Sequence, residues 1–279
     1  MLKRTSAVLL MSMLFAGSLI SAPSALAAEN TPVLVKDIDT RTLDAFDPEE
    51  DDYYFAELGG FLYFNNESNL WKTDGTEAGT EIVKSFSSLQ DIIAFEGKLY
   101  LEADDGKGEG SQLWVSNGTA AGTSLFKVIR PGGSSSSISR FTVVGDTLFF
   151  RANNGVDGSE IWKTDGTETG TVQVADINAS GNSSPYNLTA VGNTLFFTAN
   201  NGTNGEELWK SDGTETGTVL VKDIRSGSQS SSGTNFTAVG STLFFSANTG
   251  NNDTKLALPL VPYPLQVVKS NRRVKHGVN

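Results

Sequence analysis

An all-β fold, a β-propeller of about five four-stranded antiparallel blades whose last blade is composite or incomplete, is predicted by three observations. Nearly the same eleven residues occur four times, in boxes at 70–80 (LWKTDGTEAGT), 113–123 (LWVSNGTAAGT), 161–171 (IWKTDGTETGT) and 208–218 (LWKSDGTETGT). The Trp residues of successive boxes are 43, 48 and 47 residues apart, between the periods of two propeller repeats and far above a β-helix rung. The runs Leu148-Phe149-Phe150, Leu195-Phe196-Phe197 and Leu243-Phe244-Phe245 are apolar without alternation, which demands cover on both faces. Radially stacked blades give that cover, whereas a two-sheet sandwich leaves one face wet.

Each repeat reads as strands a, b, c and d. In the copy from Asn187 to Ile224, Asn187–Val191 is strand a, and Thr194–Ala199 is strand b after a Gly192-Asn193 turn. Glu207–Ser211 then forms strand c, and Thr218–Ile224 strand d. Gly145-Asp146, Gly192-Asn193 and Gly240-Ser241 stand between a and b, where a two-residue hairpin takes Gly first. Trp71, Trp114, Trp162 and Trp209 sit on strand c, one per copy. Their fixed place is what packing between blades requires, and each ring is worth about 4–6 kcal/mol of gross burial.

After each Trp, Asp74-Gly75-Thr76, Asn117-Gly118-Thr119, Asp165-Gly166-Thr167 and Asp212-Gly213-Thr214 read as turns, with the Asx side chain bonding its own backbone and Gly supplying positive φ. Calcium held by these or neighbouring oxygen-rich loops is the competing reading, and no other cofactor is expected. There is no P-loop and no EF-hand loop. In a four-stranded blade the b–c and d–a connections share one face. That face collects 103–110, 153–159 and 200–206 with the serine-rich stretches 132–139, 180–185 and 226–233, a surface of hydroxyls, amides and carboxylates suited to polysaccharide. The same residues also simply make loops.

Residues 1–27 have the pattern of a secretory signal peptide, with Lys3 and Arg4, an apolar stretch from Ala7 to Ile20, and Ala25-Leu26-Ala27 before the cleavage point. The repeat domain is placed at 28–271 and a basic tail at 272–279. Without the signal, 19 basic residues face 32 acidic ones, a net charge of −13 that argues against nucleic acid and anionic membrane surfaces. No later stretch is apolar enough to span a bilayer. There is no Cys, and the only His is His276 in the tail, so thiol, imidazole-base and His-zinc chemistry lack residues. Paired carboxylates remain for sugar hydrolysis. The charges on strands a and b that break the repeat are Glu96, Glu102 and Arg151.

The boxes Leu70-Trp71-x-x-Asp74-Gly75-Thr76, Ile161-Trp162-x-x-Asp165-Gly166-Thr167 and Glu207-Leu208-Trp209-x-x-Asp212-Gly213-Thr214, with Val221-Lys222-Asp223-Ile224 behind them, resemble the bacterial ELW-x-x-DGT repeat proteins. The resemblance implies an exported, often modular propeller with no activity assigned to the repeat and no catalytic residue to carry over. The second copy departs from it at Gln112 and Asn117, and the first at Asn69.

The ends set the closure problem. Val33–Ile38 repeats Val219–Ile224 letter for letter and would complete the last blade as its d strand, yet Gln266–Lys269 falls at the same position, 47 residues after Val219. Between them, Asp253–Pro264 keeps the length of a box and none of its letters. Residues 253–279 are thus native sequence, the product of a reading-frame slip, or the end of a truncated longer array. The functional expectation is a secreted or cell-surface binding or structural module, not an enzyme, whose partner is polysaccharide or another surface protein. A calcium-stabilised adhesin-like or glycan-binding propeller is the alternative, and a carbohydrate hydrolase a further one.

Overall fold

The computed structural model describes residues 54–250, 254–258 and 266–268. The signal sequence, Val33–Ile38, His276 and the basic tail lie outside them. The described chain forms five four-stranded antiparallel sheets. The first holds β1 (Phe55–Leu58), β2 (Phe61–Asn66), β3 (Asn69–Thr73) and β4 (Glu81–Ser85). The second holds β5 (Ser88–Phe95), β6 (Lys98–Asp104), β7 (Gln112–Ser116) and β8 (Thr123–Lys127). The third comprises β9 (Ser139–Val144), β10 (Thr147–Asn153), β11 (Ser159–Thr164) and β12 (Val172–Ala175). The fourth comprises β13 (Tyr186–Val191), β14 (Thr194–Asn200), β15 (Glu206–Ser211) and β16 (Val219–Lys222). The fifth has β17 (Thr234–Val239), β18 (Thr242–Asn248), β19 (Thr254–Leu258) and β20 (Gln266–Val268).

Each sheet is a meander, with its strands paired in chain order. Strand a of each sheet abuts strand a of the next, in the succession β1, β5, β9, β13, β17. Among the described residues no comparable contact joins β17 to β1. The fifth sheet corrects one expectation, since its d position is taken by Gln266–Val268, so it is neither composite nor short of a strand. Spacing and local pairing decide this. Ala257 stands opposite Phe245, the place Trp209 holds opposite Phe197, so a segment without box letters still supplies strand c. Backbone pairing needs length and register more than letters.

The core lies between sheets. Leu70 and Tyr63 meet Leu99, Leu101 and Trp114 across the first junction, and Tyr100 and Leu113 meet Leu148, Phe150 and Trp162 across the second. Phe149 and Ile161 meet Leu195, Phe197 and Trp209 across the third, and Leu208 meets Leu243 and Phe245 across the fourth. Phe149 and Phe150 therefore bury opposite faces of one strand against two neighbours, leaving 2% and 0% of their surface exposed. Trp114, Trp162 and Trp209 are buried against the preceding sheet, while Trp71, which has no preceding sheet among the described residues, is half-buried and stacks on Phe64 at 6.3 Å.

Every strand a after the first carries a bulge at a left-handed residue: Asp91, Arg140, Asn187 and Asn235. Asn and Asp are at home there, whereas Arg sits at some conformational cost.

Truncating Trp162 to Ala should lower unfolding free energy by about 3–5 kcal/mol, read from urea denaturation, because its cavity opens between two sheets at once. A loss under about 1 kcal/mol would refute the packing role.

Candidate functional site

Four kinds of repeated polar residue are engaged by the chain itself. In the c–d turns, Asp74 Oδ1 accepts from the N–H and hydroxyl of Thr76 at 2.9 and 2.7 Å, and Asp165 and Asp212 repeat both bonds with Thr167 and Thr214. Asn117 does the same with Thr119, so an amide serves as well as a carboxylate. The threonine hydroxyl and N–H hold these Asp carboxyls below the usual carboxylate range. Gly75, Gly118, Gly166 and Gly213 take φ between 86° and 89°. The second glycine of the box is needed for space: a Cβ on Gly170 would land on the Asp165 carboxylate.

The residue before Leu-Trp ties strand c to the serine-rich connection. Fully buried Glu160 accepts from the N–H of Ile177 (3.1 Å), the N–H of Ser183 (2.8 Å) and the Ser183 hydroxyl. Glu207 accepts from the N–H groups of Ile224, Arg225 and Ser231. Gln112 accepts from Ile129 and Arg130 N–H through Oε1 and donates through Nε2 to the carbonyls of Glu109, Arg130 and Ser134. Burial pushes Glu160 up to about 7 against these donors, and Glu207 upward likewise. The buried serines finish the joint: Ser136, Ser183 and Ser231 accept through their carbonyls from Asn153, Asn200 and Asn248 at the end of the next strand b. In the b–c loops, Asn153, Asn154, Asn200 and Asn201 accept from backbone N–H groups of their own loops.

The copies differ most where the second and third sheets meet. The strand-b residue just after the position opposite Trp is Asn65, Glu102, Arg151, Thr198 and Ser246 in the five sheets, and the strand-a bulge residue is Asp91 in the second and Arg140 in the third. Two acids thus stand on the second sheet and two bases on the third. Gln90, Glu102, Ser111, Ser135, Ser137, Ile138, Ser139 and Arg151 line a cleft of about 310 Å³ there, on the face of the b–c and d–a connections. Asp91 Oδ2 accepts from Arg140 N–H at 2.8 Å, and the Arg140 guanidinium lies 4.1 Å from the Tyr186 ring centre. The Ser135 hydroxyl is 3.4 Å from Glu102 Oε1. Arg151 Nε and Ser139 Oγ are buried with no partner, a cost of about 1–3 kcal/mol each for donors without an acceptor.

Burial, then the Asp91 charge, raises Glu102 to about 7 over the opposing effect of Ser135, Ile138 N–H and Arg151. Burial and Arg140 lower Arg151. Of the three symmetry-breaking charges read from the sequence, the fold brings Glu102 and Arg151 together, while Glu96 stands in the a–b turn at the opposite end of its strand. Asp91 and Arg140 were missed; their signal was charge at a bulge that Asn occupies in the later copies. Among the described residues no three His, Cys, Asp or Glu are grouped to hold a metal ion, and no helix is long and apolar enough to cross a membrane.

Neither a family model nor a curated protein matches the chain. Among solved structures, a prolyl endopeptidase superposes with a TM-score of 0.51 at 11% identity, over 77% of this chain and 34% of that one. A puromycin hydrolase mutant gives 0.49 at 12% identity over 71% and 34%, and a putative TolB from Agrobacterium tumefaciens 0.43 at 13% over 77% and 79%. The chain thus spans about a third of the length of both hydrolases. The likeness to the prolyl endopeptidase is one of fold alone, to a propeller-type protein.

Two outcomes test the repeat chemistry. Gly170→Ala should destabilise by about 1–3 kcal/mol, while Asp165→Asn leaves the melting midpoint unchanged, as Asn117 already shows an amide in that turn. Glu160 binds its proton near 7 when folded and near 4.5 when unfolded. Its contribution is therefore complete below about 4.5, is lost as pH rises to 7, and is level above. The urea midpoint should be higher at pH 5 than at pH 8, and Glu160→Gln should narrow that gap.

Proposed function

We propose that this is an exported, non-catalytic repeat protein of the ELW-x-x-DGT kind, acting outside the cell or on its surface as a binding module for polysaccharide or another surface protein. The carrying observation is how the repeated polar side chains are used. The Asp, Glu, Ser and Asn residues common to the copies bond their own frame, so contact with a partner falls to the place where the copies differ. Export is supported by the amino-terminal Lys-Arg, the apolar stretch and Ala25-Leu26-Ala27.

A closed ring of five blades is part of this reading. It is supported by the Trp face of the first sheet, on which no sheet packs comparably among the described residues and where Phe55 is 53% exposed while its counterpart Ile92, packed against the first sheet, is 5% exposed. The fifth sheet is the partner that would cover it.

Hydrolysis of a sugar bond is the second reading, favoured by Asp91 beside Glu102 and by a Glu102 carboxyl that is half-protonated near neutral pH.

Protein recovered from culture fluid or the cell surface should begin at Ala28, and its melting midpoint should rise with at least one soluble polysaccharide of a broad panel, without release of reducing ends. Reducing ends that disappear in Glu102→Gln would establish the hydrolase instead. A midpoint indifferent to the whole panel would remove polysaccharide as the partner.

A further inference from the structure

Resting on the binding-module reading, we propose that the cleft between the second and third sheets is a receptor site for an acidic sugar unit, its carboxylate taken by Arg151 and its hydroxyls by Gln90 and the serines of the 132–139 connection. The cleft volume of about 310 Å³ is at the small end of ligand sites and matches a single ring rather than a long chain. Its lining is hydroxyl, amide, carboxyl and guanidinium, with Ile138 the apolar exception. Such a wall selects a ligand rich in oxygen.

The unmet needs inside the cleft define the ligand further. Arg151 Nε–H and Ser139 Oγ have no partner in the protein. A guanidinium presents paired parallel donors, the geometry that a carboxylate accepts and a lone hydroxyl does not, and Arg151 lines the cleft. At the same register the fourth and fifth sheets place Thr198 and Ser246, which complete a blade without any charge, so packing alone does not call for Arg.

The long-range field of an acidic chain opposes an anion, but at this junction Arg140 and Arg151 balance Asp91 and Glu102, and screening at physiological salt shortens the opposing field to about 8 Å. Glu102 sets the pH response. It is faced by Asp91 from strand a, Arg151 from the third sheet, and Ser135 and Ile138 from the connection, with Arg140 acting on Arg151 behind it. Below about 7 it is a neutral donor to the sugar, and above it an anion that repels the ligand carboxylate.

The test is calorimetric titration of the full chain with methyl β-D-glucuronide and methyl β-D-glucoside, which differ only in the carboxylate, at pH 6 and pH 8. The glucuronide should bind about tenfold or more tightly than the glucoside at pH 6, and more weakly at pH 8. Arg151→Thr, the side chain of the fourth sheet, should erase the preference, and Glu102→Gln should remove the pH effect. Should Arg151→Thr lose its cooperative melt, Arg151→Lys keeps the charge without the fork and should still lose most of the preference. Equal binding of both glycosides, or a preference surviving in Arg151→Thr or Arg151→Lys, overturns the assignment. A silent glucuronide alongside a polysaccharide that raises the melting midpoint overturns the cleft alone and leaves the binding module standing.

Discussion

No sheet of this protein is a stable object alone, and everything else in the structure follows from that. Strand b is apolar on both faces: Phe149 is in the core shared with the fourth sheet and Phe150 in the core shared with the second. A single four-stranded meander would leave both of those rings in water. Stability therefore lies in the junctions, four of which are described; in the first three the Trp of one sheet, with apolar strand-b residues beside it, is buried against the sheet before. A protein without disulfides depends on this burial entirely.

The junctions also need a polar frame, because strands c and d end inside the molecule, where N–H and C=O groups must find partners. Glu160 and Glu207 meet that need from one side, and Ser136, Ser183 and Ser231 from the other. A carboxylate desolvated enough to titrate near 7 is a poor source of net stability, yet it accepts three donors at once and fixes where the next strand a begins. Gln112 performs the same task without a charge and reaches three carbonyls as well. The serine-rich stretches are thus partly framework, with Gln90 and the outer serines left over to line the cleft.

Much of the fold was legible in the sequence, since repeat spacing, the unalternating Leu-Phe-Phe runs and the Gly-first hairpins are local signals. Three features were not. The partners of the Glu before Leu-Trp come from a connection about twenty residues later, so the letter alone looks like a solvent-facing acid. The bulge in strand a is marked by Asn only in the last two copies, and Asp91 and Arg140 disguise it in the others. The fourth strand of the last sheet was contested by two segments of matching length, and a tie between lengths is broken only by which one pairs with β19. For the cleft, Glu102 and Arg151 were visible as odd letters, but that both line one cleft depends on how the second and third sheets and the connection between them come together.

The two faces of each sheet are different, and that asymmetry has a consequence for assembly. Leu148, Phe150 and Trp162 on one side and Phe149 and Ile161 on the other make both joints of the third sheet head-to-tail contacts, as between bricks with a stud above and a socket below. Such a contact carries no stop signal: it ends in a circle where the turn per unit brings first to last, and otherwise it goes on adding members. The same geometry lets a gene gain or lose one unit without inventing a new joint, because any copy already fits behind any other.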